Sequence, residues 1–465
     1  MNMNLEEIAR ITGGDLWPKS AKGRVSSLST DSRTIEKGDL FIPLRGDNFD
    51  GHDYLAEAVA RGAAACLCED LVRGLSVPVI HVRESLHALG DIAANIRQSF
   101  SGPVVAVTGS SGKTTTREML AAILSISGSG LKTEGNFNNL IGLPKTLLRL
   151  QQEDEWIVLE LGMNRMGEIA RLTDISTPDV GIITNVAAAH LQWTGGIEGV
   201  ARAKGELFAG LKAGTTAVIN NEDDRARGLP VANGVGKIFY STAGRGDVLA
   251  ENIQAQEKGL GFDLLFGKKR VAVRMDIVGR HNVSNALAAA TAALIMDVPL
   301  VQVVEGLQAF QPIAGRLVPK RLARGIVLYD DSYNANPLSM TAALQMLGCS
   351  ASSGRRWAVL GDMRELGQET EQLHRQVGTM AVGNADFLVV LGEDVAYLAH
   401  EAGRRGMKKE QIFHAASHRQ AVEFILEGIS AGDSIVVKGS RAMKMETISQ
   451  ALEAELGDML QEECC

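Results

Sequence analysis

The sequence predicts an α/β protein of three domains, and three observations carry that prediction. The chain has 465 residues, about three times a common domain length. Short apolar runs of strand length alternate with helix-length amphipathic stretches through its middle and its end. That alternation is the signature of mostly parallel sheets covered by helices on both faces. The pattern breaks near Glu84 and again at Gln311-Pro312-Ile313-Ala314-Gly315, which sets domains at 1–84, 85–314 and 315–465.

In chain order, the first block opens with a helix at Leu5–Thr12, followed by a strand at Asp39–Leu44. A polar loop leads to a helix at His52–Ala64 and strands at Ala64–Cys68 and Val77–Val82. The segment Ser85–Ser101 reads as a connecting helix. In the central block, Val104–Thr108 is a β-branched strand, Gly109–Gly112 a loop, and Arg117–Ile126 an amphipathic helix. Trp156–Leu161, Val180–Val186 and Thr216–Asn220 are runs of the kind buried on both faces. From Asp247 to Val278 alternation with glycine turns predicts edge hairpins. The alanine-rich stretch Ala286–Met296 is too short to span a membrane and reads as a buried helix. The last block repeats strand then helix five times, the strands being Ile326–Tyr329, Trp357–Leu360, Phe387–Leu391, Gln411–His414 and Ser434–Val437. This is a doubly wound, Rossmann-like arrangement. It lacks G-x-G-x-x-G after its first strand, so no dinucleotide is assigned to it. No fixed-period repeat is present.

Composition narrows the class. A hydrophobic fraction of 45% and a charged fraction of 22% are ordinary for a globular protein. The net charge of −8 argues against a general nucleic-acid binder. Glu6 and Glu7 stand where a secretory signal would be basic and then apolar. Five cysteines are too scattered for a disulfide framework. Cys66, Cys68 and Cys349 read as core packing and Cys464-Cys465 as a free tail, which together suggest a reducing cytoplasm.

The stretch Thr108-Gly109-Ser110-Ser111-Gly112-Lys113-Thr114-Thr115 carries the strongest chemistry. A buried-type strand, a small-residue turn and a helix start gather backbone N–H groups, a helix N-terminus and an ammonium in one volume, which suits a polyphosphate. Lys113 is placed to span β- and γ-phosphate oxygens, and the Thr114 or Thr115 hydroxyl to hold Mg²⁺. Val107 stands where the longer G-x-x-x-x-G-K-[ST] form has its first glycine, so this is a shortened loop.

Other candidates are weaker alone. Glu160 ends the strand Trp156–Leu161, and His190 follows Val180–Val186 after three alanines. Strand-end Glu and His are commonly only solvated, but two at sheet ends reached by the same rim could serve a cation. Lys204 lies within a helix, where lysines are usually solvated. Asn136, Asn138 and Asn139 form a cluster, and Asn282 and Asn285 flank the start of the alanine-rich helix beside His281. Asparagine suits amide or sugar recognition; turn-forming and helix-capping are the rival reading.

By these motifs the chain resembles the Mur ligases of peptidoglycan synthesis over nearly its whole length. The resemblance rests on Ser29-Thr30-Asp31-Ser32-Arg33 with Gly51-His52, Thr108–Thr115, and Lys132–Asn139 followed by Ile141-Gly142-Leu143-Pro144. It continues through Glu160–Asn164, Asn185 with Ala189-His190-Leu191, Lys204-Gly205-Glu206, Gly279-Arg280-His281-Asn282, Gly315-Arg316 and Asp331–Pro337. Gly135–Asn139, Glu160–Asn164 and Asp331–Pro337 look specific to the branch that adds D-alanyl-D-alanine.

The resemblance implies a uridine-binding N-terminal domain, a central ATPase-type domain and a Rossmann-like C-terminal domain. It implies an ATP- and Mg²⁺-dependent, ADP-forming amide ligase acting on UDP-N-acetylmuramoyl-tripeptide and D-alanyl-D-alanine; the cysteine usage suggests the cytoplasm, and nothing in the sequence demands more than a monomer. Lys113, Glu160, His190 and Lys204 would be catalytic. Thr114, Glu160 and His190 would hold magnesium, with Lys204 joining as a carbamate. Gly109, Ser110, Ser111, Gly112, Lys113, Thr114, Thr115, His281, Asn282, Arg316, Asp331, Asn334 and Asn336 would bind ATP. Ser29, Asp31, Ser32, Arg33, Asn136, Asn138 and Asn139 would bind the UDP substrate. Rival expectations are a neighbouring amino-acid-adding Mur ligase and a nucleotide-dependent UDP-sugar-binding module.

Overall fold

The computed structural model describes residues 2–457 except 47, 71, 73, 257, 258 and 351–353. Cys464 and Cys465 lie outside the described residues. The chain divides into two compact units: Met1–Ala106 with Ser129–Gly162 and Glu168–Pro178, and Val107–Gly128 with Met163–Gly167 and Asp179–Cys465.

In the first unit the helix Leu5–Thr12 starts where the Asn4 side chain accepts the Glu7 N–H and stops at Gly13, whose φ of 61° is left-handed. A five-stranded sheet runs in the order Asp15–Trp17, Val79–His81, Ala65–Cys68, Asp39–Phe41, Ser27–Ser29. The first pair is antiparallel and the others parallel. Alternation along its strands builds two cores. Cys66 and Cys68 pack with Phe41, Leu55 and Val79 on one face, while Leu67 packs with Leu40, Ile80 and residues of the helices Leu5–Thr12 and Ser85–Gln98 on the other. The expected helix His52–Ala64 is a 3₁₀ turn, Gly51–Tyr54, and a helix, Leu55–Arg61. Gly62, at φ 113°, ends it early. The strands Gly130–Lys132 and Trp156–Glu160 pair in parallel.

In the second unit the helix after the glycine-serine loop is Lys113–Leu124, beginning one turn earlier than the apolar pattern indicates. Strands Val180–Ile183, Thr216–Asn220, Gly236–Ser241 and Val248–Gln256 pair in parallel sequence. Antiparallel strands Gly259–Phe266 and Lys269–Met275 follow, as the hairpin reading expected. The alanine-rich helix is His281–Ile295. It is buried, and Thr291 donates its hydroxyl to the Leu287 carbonyl at 2.7 Å, which satisfies the one polar side chain in its alanine run.

Strands between Val318 and Lys438 build a six-stranded sheet in the order Val318–Arg321, Val327–Asp331, Ser434–Lys438, Arg356–Gly361, Phe387–Leu391, Ile412–Ala415. The first strand is antiparallel and the rest parallel. Cys349 corrects the core-packing expectation: it caps the helix Pro337–Gly348 and is exposed, because it falls off the buried stripe formed by Met340, Ala343, Leu344 and Leu347. Among the described residues no helix is long and apolar enough to cross a membrane.

Candidate active site

The loop Gly109–Gly112 follows a strand whose five residues are all buried, Val104–Thr108. Two glycines are sterically required. A methyl on Gly109 would lie 1.8 Å from Thr184 Oγ1, and one on Gly112, at φ 83°, would lie 2.3 Å from Asn285 Oδ1. Asn185 fixes the turn from outside: its carbonyl accepts the Ser110 N–H and its Oδ1 accepts the Ser111 N–H, both at 3.0 Å. Thr184 Oγ1 and Asn185 Nδ2 both donate to the Ser111 carbonyl. That bonding explains why the strand Val180–Ile183 ends before the predicted Val186. Lys113 Nζ reaches back to the Gly109 carbonyl at 2.7 Å. No side chain caps the helix that Lys113 opens, the arrangement that favours an anion there.

Around this loop the same unit gathers most of the predicted nucleotide residues. Arg316 Nη2 donates to Thr114 Oγ1 at 2.8 Å, and its guanidinium stacks 4.3 Å from the Tyr333 ring centroid. Asn336 caps the helix Pro337–Gly348 through Ser339. Its Nδ2 also donates to the Ser110 carbonyl and to Ser111 Oγ, at 3.2 and 2.9 Å. Asp331 forms a 2.7 Å ion pair with the buried Lys438. Burial raises the Asp331 pKa, while Lys438 and Arg316 pull it down. Asn334 uses its carbonyl to accept Lys438 Nζ at 2.8 Å. Asn282 donates to the Val278 carbonyl and accepts from Asn285; it braces the helix start rather than capping it. His281 begins that helix, exposed.

Lys204 refutes its solvated reading. Only 2% exposed on the helix Ile197–Gly210, it has no hydrogen-bond or ion-pair partner among the described residues. Desolvation, reinforced by the Lys113 charge, holds its pKa well below the ordinary lysine value. His190 sits in the left-handed region, φ 57°, at the start of the short helix Leu191–Thr194. Its Nδ1 lies 2.5 Å from the Glu365 carboxylate, and the ring lowers the Glu365 pKa.

The first unit brings a second set together. Glu160 is buried at the end of its strand, its N–H held by Thr133 Oγ1 at 3.0 Å. Asn138 Nδ2 donates to Glu160 Oε1 at 2.8 Å, and its carbonyl accepts the Gly162 N–H. Asn139 accepts the Ile141 and Gly142 N–H groups, so its side chain serves the turn; Asn136 is exposed. Ser29 ends the strand Ser27–Ser29, and Asp31 caps the 3₁₀ turn Ser32–Thr34 that carries Ser32 and Arg33. Arg33, 80% exposed, pairs with Asp31 at 2.7 Å, and its hydrogen bonds push the Asp31 pKa down to about 2. Ser32 is buried against Glu57.

Sequence reasoning passed over Thr184, Glu365 and Lys438. Lys438 had a legible signal, a charge at the C-terminal end of an otherwise apolar strand. Glu365 had none, since only the fold brings it to His190.

The chain is similar to known proteins along nearly its whole length. Residues 24–97 match the Mur ligase family catalytic domain, 107–293 the Mur ligase middle domain and 315–441 the Mur ligase glutamate ligase domain. The UDP-N-acetylmuramoyl-tripeptide--D-alanyl-D-alanine ligase of Escherichia coli is 38% identical, over 97% of this chain and 99% of its own. The Bacillus subtilis protein of the same name is 33% identical over 96% and 98%. A crystal structure of MurF from Acinetobacter baumannii superposes with a TM-score of 0.89 at 33% identity, covering 97% and 99%. MurF ligase from Thermotoga maritima, solved in complex with ADP, gives 0.84 at 27% identity, covering 93% and 98%. This chain belongs to the Mur ligase family.

Proposed function

We infer that this chain joins D-alanyl-D-alanine to UDP-N-acetylmuramoyl-tripeptide, consuming ATP and releasing ADP and phosphate. It is an enzyme of cell-wall precursor synthesis. The observation that carries the reading is the pairing of two lysines around one anion-binding loop: Lys113, which opens the following helix and reaches back to the Gly109 carbonyl, and the buried Lys204, near enough to feel its charge. A mere nucleotide switch needs the first and not the second.

A carboxylate is a poor electrophile and must be activated before an amine can attack it. The terminal carboxylate of the tripeptide attacks the γ-phosphorus of ATP; the bond to the β–γ bridging oxygen breaks, leaving ADP and an acyl phosphate. The free amine of D-alanyl-D-alanine then attacks the acyl carbon. Phosphate departs from the tetrahedral intermediate, and the amine loses its proton. The protein's share is alignment and charge stabilisation, by Lys113 at the phosphates and by Arg316, which stands on Thr114 in this conformation. The acyl phosphate must be kept from water. A C-terminal domain 315–465, carrying Arg316 and Asn336 onto the loop by a hinge at Gln311–Gly315, supports that.

The donors suit magnesium. It takes hard oxygen ligands and is usually held by few protein groups plus phosphate and water. Among the described residues no cluster of three or more His, Cys, Asp or Glu offers a ready-made cage. We assign Thr114 and His190 as ligands, with Glu160 assigned on the resemblance alone. Lys204 would complete the set as a carbamate, its neutral amine adding to the carbon of dissolved CO₂ and losing one proton to solvent; a neutral amine is the prerequisite, and the added negative charge offsets Lys113. A cation held by these residues would supply screening of the phosphate charge. Ser29, Asp31, Ser32 and Arg33 take the uridine diphosphate, and Asn136 and Asn138 the sugar-peptide. The domains are 1–84, 85–314 and 315–465, and the enzyme works as a cytoplasmic monomer.

The test is ADP release by the purified chain with magnesium, run with lysine- and diaminopimelate-containing UDP-muramoyl-tripeptides. Release must require both the tripeptide and D-alanyl-D-alanine and must match amide formation. Release without either substrate overturns the reading in favour of a switch; use of a free amino acid overturns it in favour of another Mur ligase.

A further inference from the structure

The turn at His190 is held from two sides. On its own side, the His190 carbonyl accepts the Trp193 N–H and the Thr194 hydroxyl, at 3.2 and 3.1 Å. These bonds hold a non-glycine residue in the left-handed region, a conformation that costs about 1–2 kcal/mol and that tends to persist where function requires it. From the opposite side comes the loop after the strand Arg356–Gly361, within the stretch matched to the glutamate ligase domain. Glu365 is itself left-handed, φ 65°. Its carbonyl accepts the Gln192 N–H at 3.2 Å, and its carboxylate lies 2.5 Å from His190 Nδ1.

The approach is close because of a glycine. A methyl on Gly367, at φ 59°, would come within 3.2 Å of the Gln192 Cα, a backbone atom that cannot swing aside. His190 Nδ1 is sealed from solvent with no in-line hydrogen-bond partner. Glu365 is thus the one carboxylate in reach of that atom among the described residues. An imidazole whose Nδ1 carries the proton presents a lone pair at Nε2. Histidines that ligate metals are commonly fixed in this way by a carboxylate on the other nitrogen.

We propose that Glu365 is a positioning residue for His190. It keeps the proton on Nδ1, so that Nε2 faces the cation that accompanies the nucleotide. His190 lies in the stretch matched to the middle domain and Glu365 in that matched to the glutamate ligase domain. The metal site is therefore competent only while that loop is docked on the His190 turn, which ties metal capture to closure of the C-terminal segment. The inference rests on the assignment of His190 as a ligand in the proposed function.

The experiment titrates Mn²⁺ into the full chain with saturating ADP, following free Mn²⁺ by electron spin resonance. Wild type is compared with Glu365→Ala, Glu365→Gln and His190→Ala. Nitrogen-15 shifts of the histidine ring report the tautomer, and thermal unfolding verifies that each variant is folded. Glu365→Ala should weaken Mn²⁺ binding about tenfold or more and leave His190 as a mixture of tautomers. Its rate should return toward wild type at high Mg²⁺, a rise in the metal requirement with little change in kcat. Glu365→Gln keeps an acceptor of the same reach and should fall between the two.

If His190→Ala weakens Mn²⁺ binding and both Glu365 variants bind it within twofold of wild type with the Nδ1–H tautomer intact, the positioning role is overturned. If His190→Ala leaves Mn²⁺ binding unchanged, the ligand assignment itself fails. Should Glu365→Ala not fold, the glutamine variant decides alone: wild-type metal affinity with a scrambled tautomer overturns the inference, and a retained tautomer with intermediate affinity supports it.

Discussion

Gly112→Ala tests whether the loop binds nucleotide in the geometry seen. The residue has φ 83°, and an alanine forced there costs about 1–2 kcal/mol. The new methyl would also lie 2.3 Å from Asn285 Oδ1, far inside contact distance. Asn285 is nearly buried and donates to Asn282 at 2.9 Å, so it can retreat only by giving up that bond. Leaving a buried polar group unpaired costs about 1–3 kcal/mol. The loop will relax to avoid both costs, and binding ADP must then restore its shape. A penalty of at least about 2 kcal/mol corresponds to a roughly 30-fold rise in the ADP Kd. Gly214→Ala separates strain from clash. Gly214 is also left-handed, φ 87°, but nothing lies within 4 Å of an added methyl, so this variant should lose a little stability and keep its ADP affinity. Calorimetric titration with ADP and magnesium decides it. An ADP Kd for Gly112→Ala within threefold of wild type would refute the claim that this turn shapes the phosphate site.

Three further outcomes follow from the same structure. Lys113→Ala should lower turnover by several hundred-fold with an unchanged unfolding temperature, since removing one preorganised charge at a transition state costs about 3–4 kcal/mol; a near-normal steady-state rate would contradict its role. Asp433 is 1% exposed at its side chain, and burial pushes its pKa up. The Ser430 and Arg355 N–H groups, Trp357 Nε1 and the Arg355 guanidinium outweigh that and hold it below the ordinary value. A lowered native pKa adds stability at neutral pH that disappears as pH falls through it. Wild type should therefore lose stability below about pH 4 more steeply than Asp433→Asn. That variant should start about 1–3 kcal/mol less stable for each donor left facing an amide, measured by urea unfolding across pH. Burial pushes the thiols of Cys66 and Cys68 up to about 12, so mapped thiol labelling of the native protein should mark Cys349 and spare both; rapid labelling of Cys66 would contradict the first-unit core.

What the sequence made legible was whatever depends on neighbours in the chain. Trp156–Glu160, Thr216–Asn220 and Phe387–Leu391 are strands buried on both faces, and continuous apolar runs announce such strands directly. Gly236–Ser241 escaped because four of its six residues are exposed or intermediate, and Gly236 and Lys237 at its start interrupt the apolar run. Val318–Arg321 escaped for a related reason: as the antiparallel edge of its sheet it alternates partly and fully exposed residues and contains Pro319, which edge strands tolerate. The helix Lys113–Leu124 was read late because its first turn is polar, and that turn is polar because it meets the loop.

The candidate site divides along the same line. Gly109, Gly112 and Lys113 are readable in the chain because the contact they make is with a ligand and with backbone a few residues away. Lys204 is not readable as buried, since nothing in the helix Ile197–Gly210 distinguishes it from the exposed Arg202 two positions earlier. Its burial is set by elements from other parts of the chain, and the absent counter-ion is evident only once those elements are in place. Glu365 extends the argument. An arginine or lysine near a phosphate can act from many positions, because charge reaches through space. A carboxylate that selects one imidazole tautomer must be within hydrogen-bond distance of a single atom. Such a residue belongs to the fold rather than to any motif, which is why Glu365 reaches His190 across 174 intervening residues and why substitution at 365 should be felt first in metal affinity rather than in the binding of either peptide substrate.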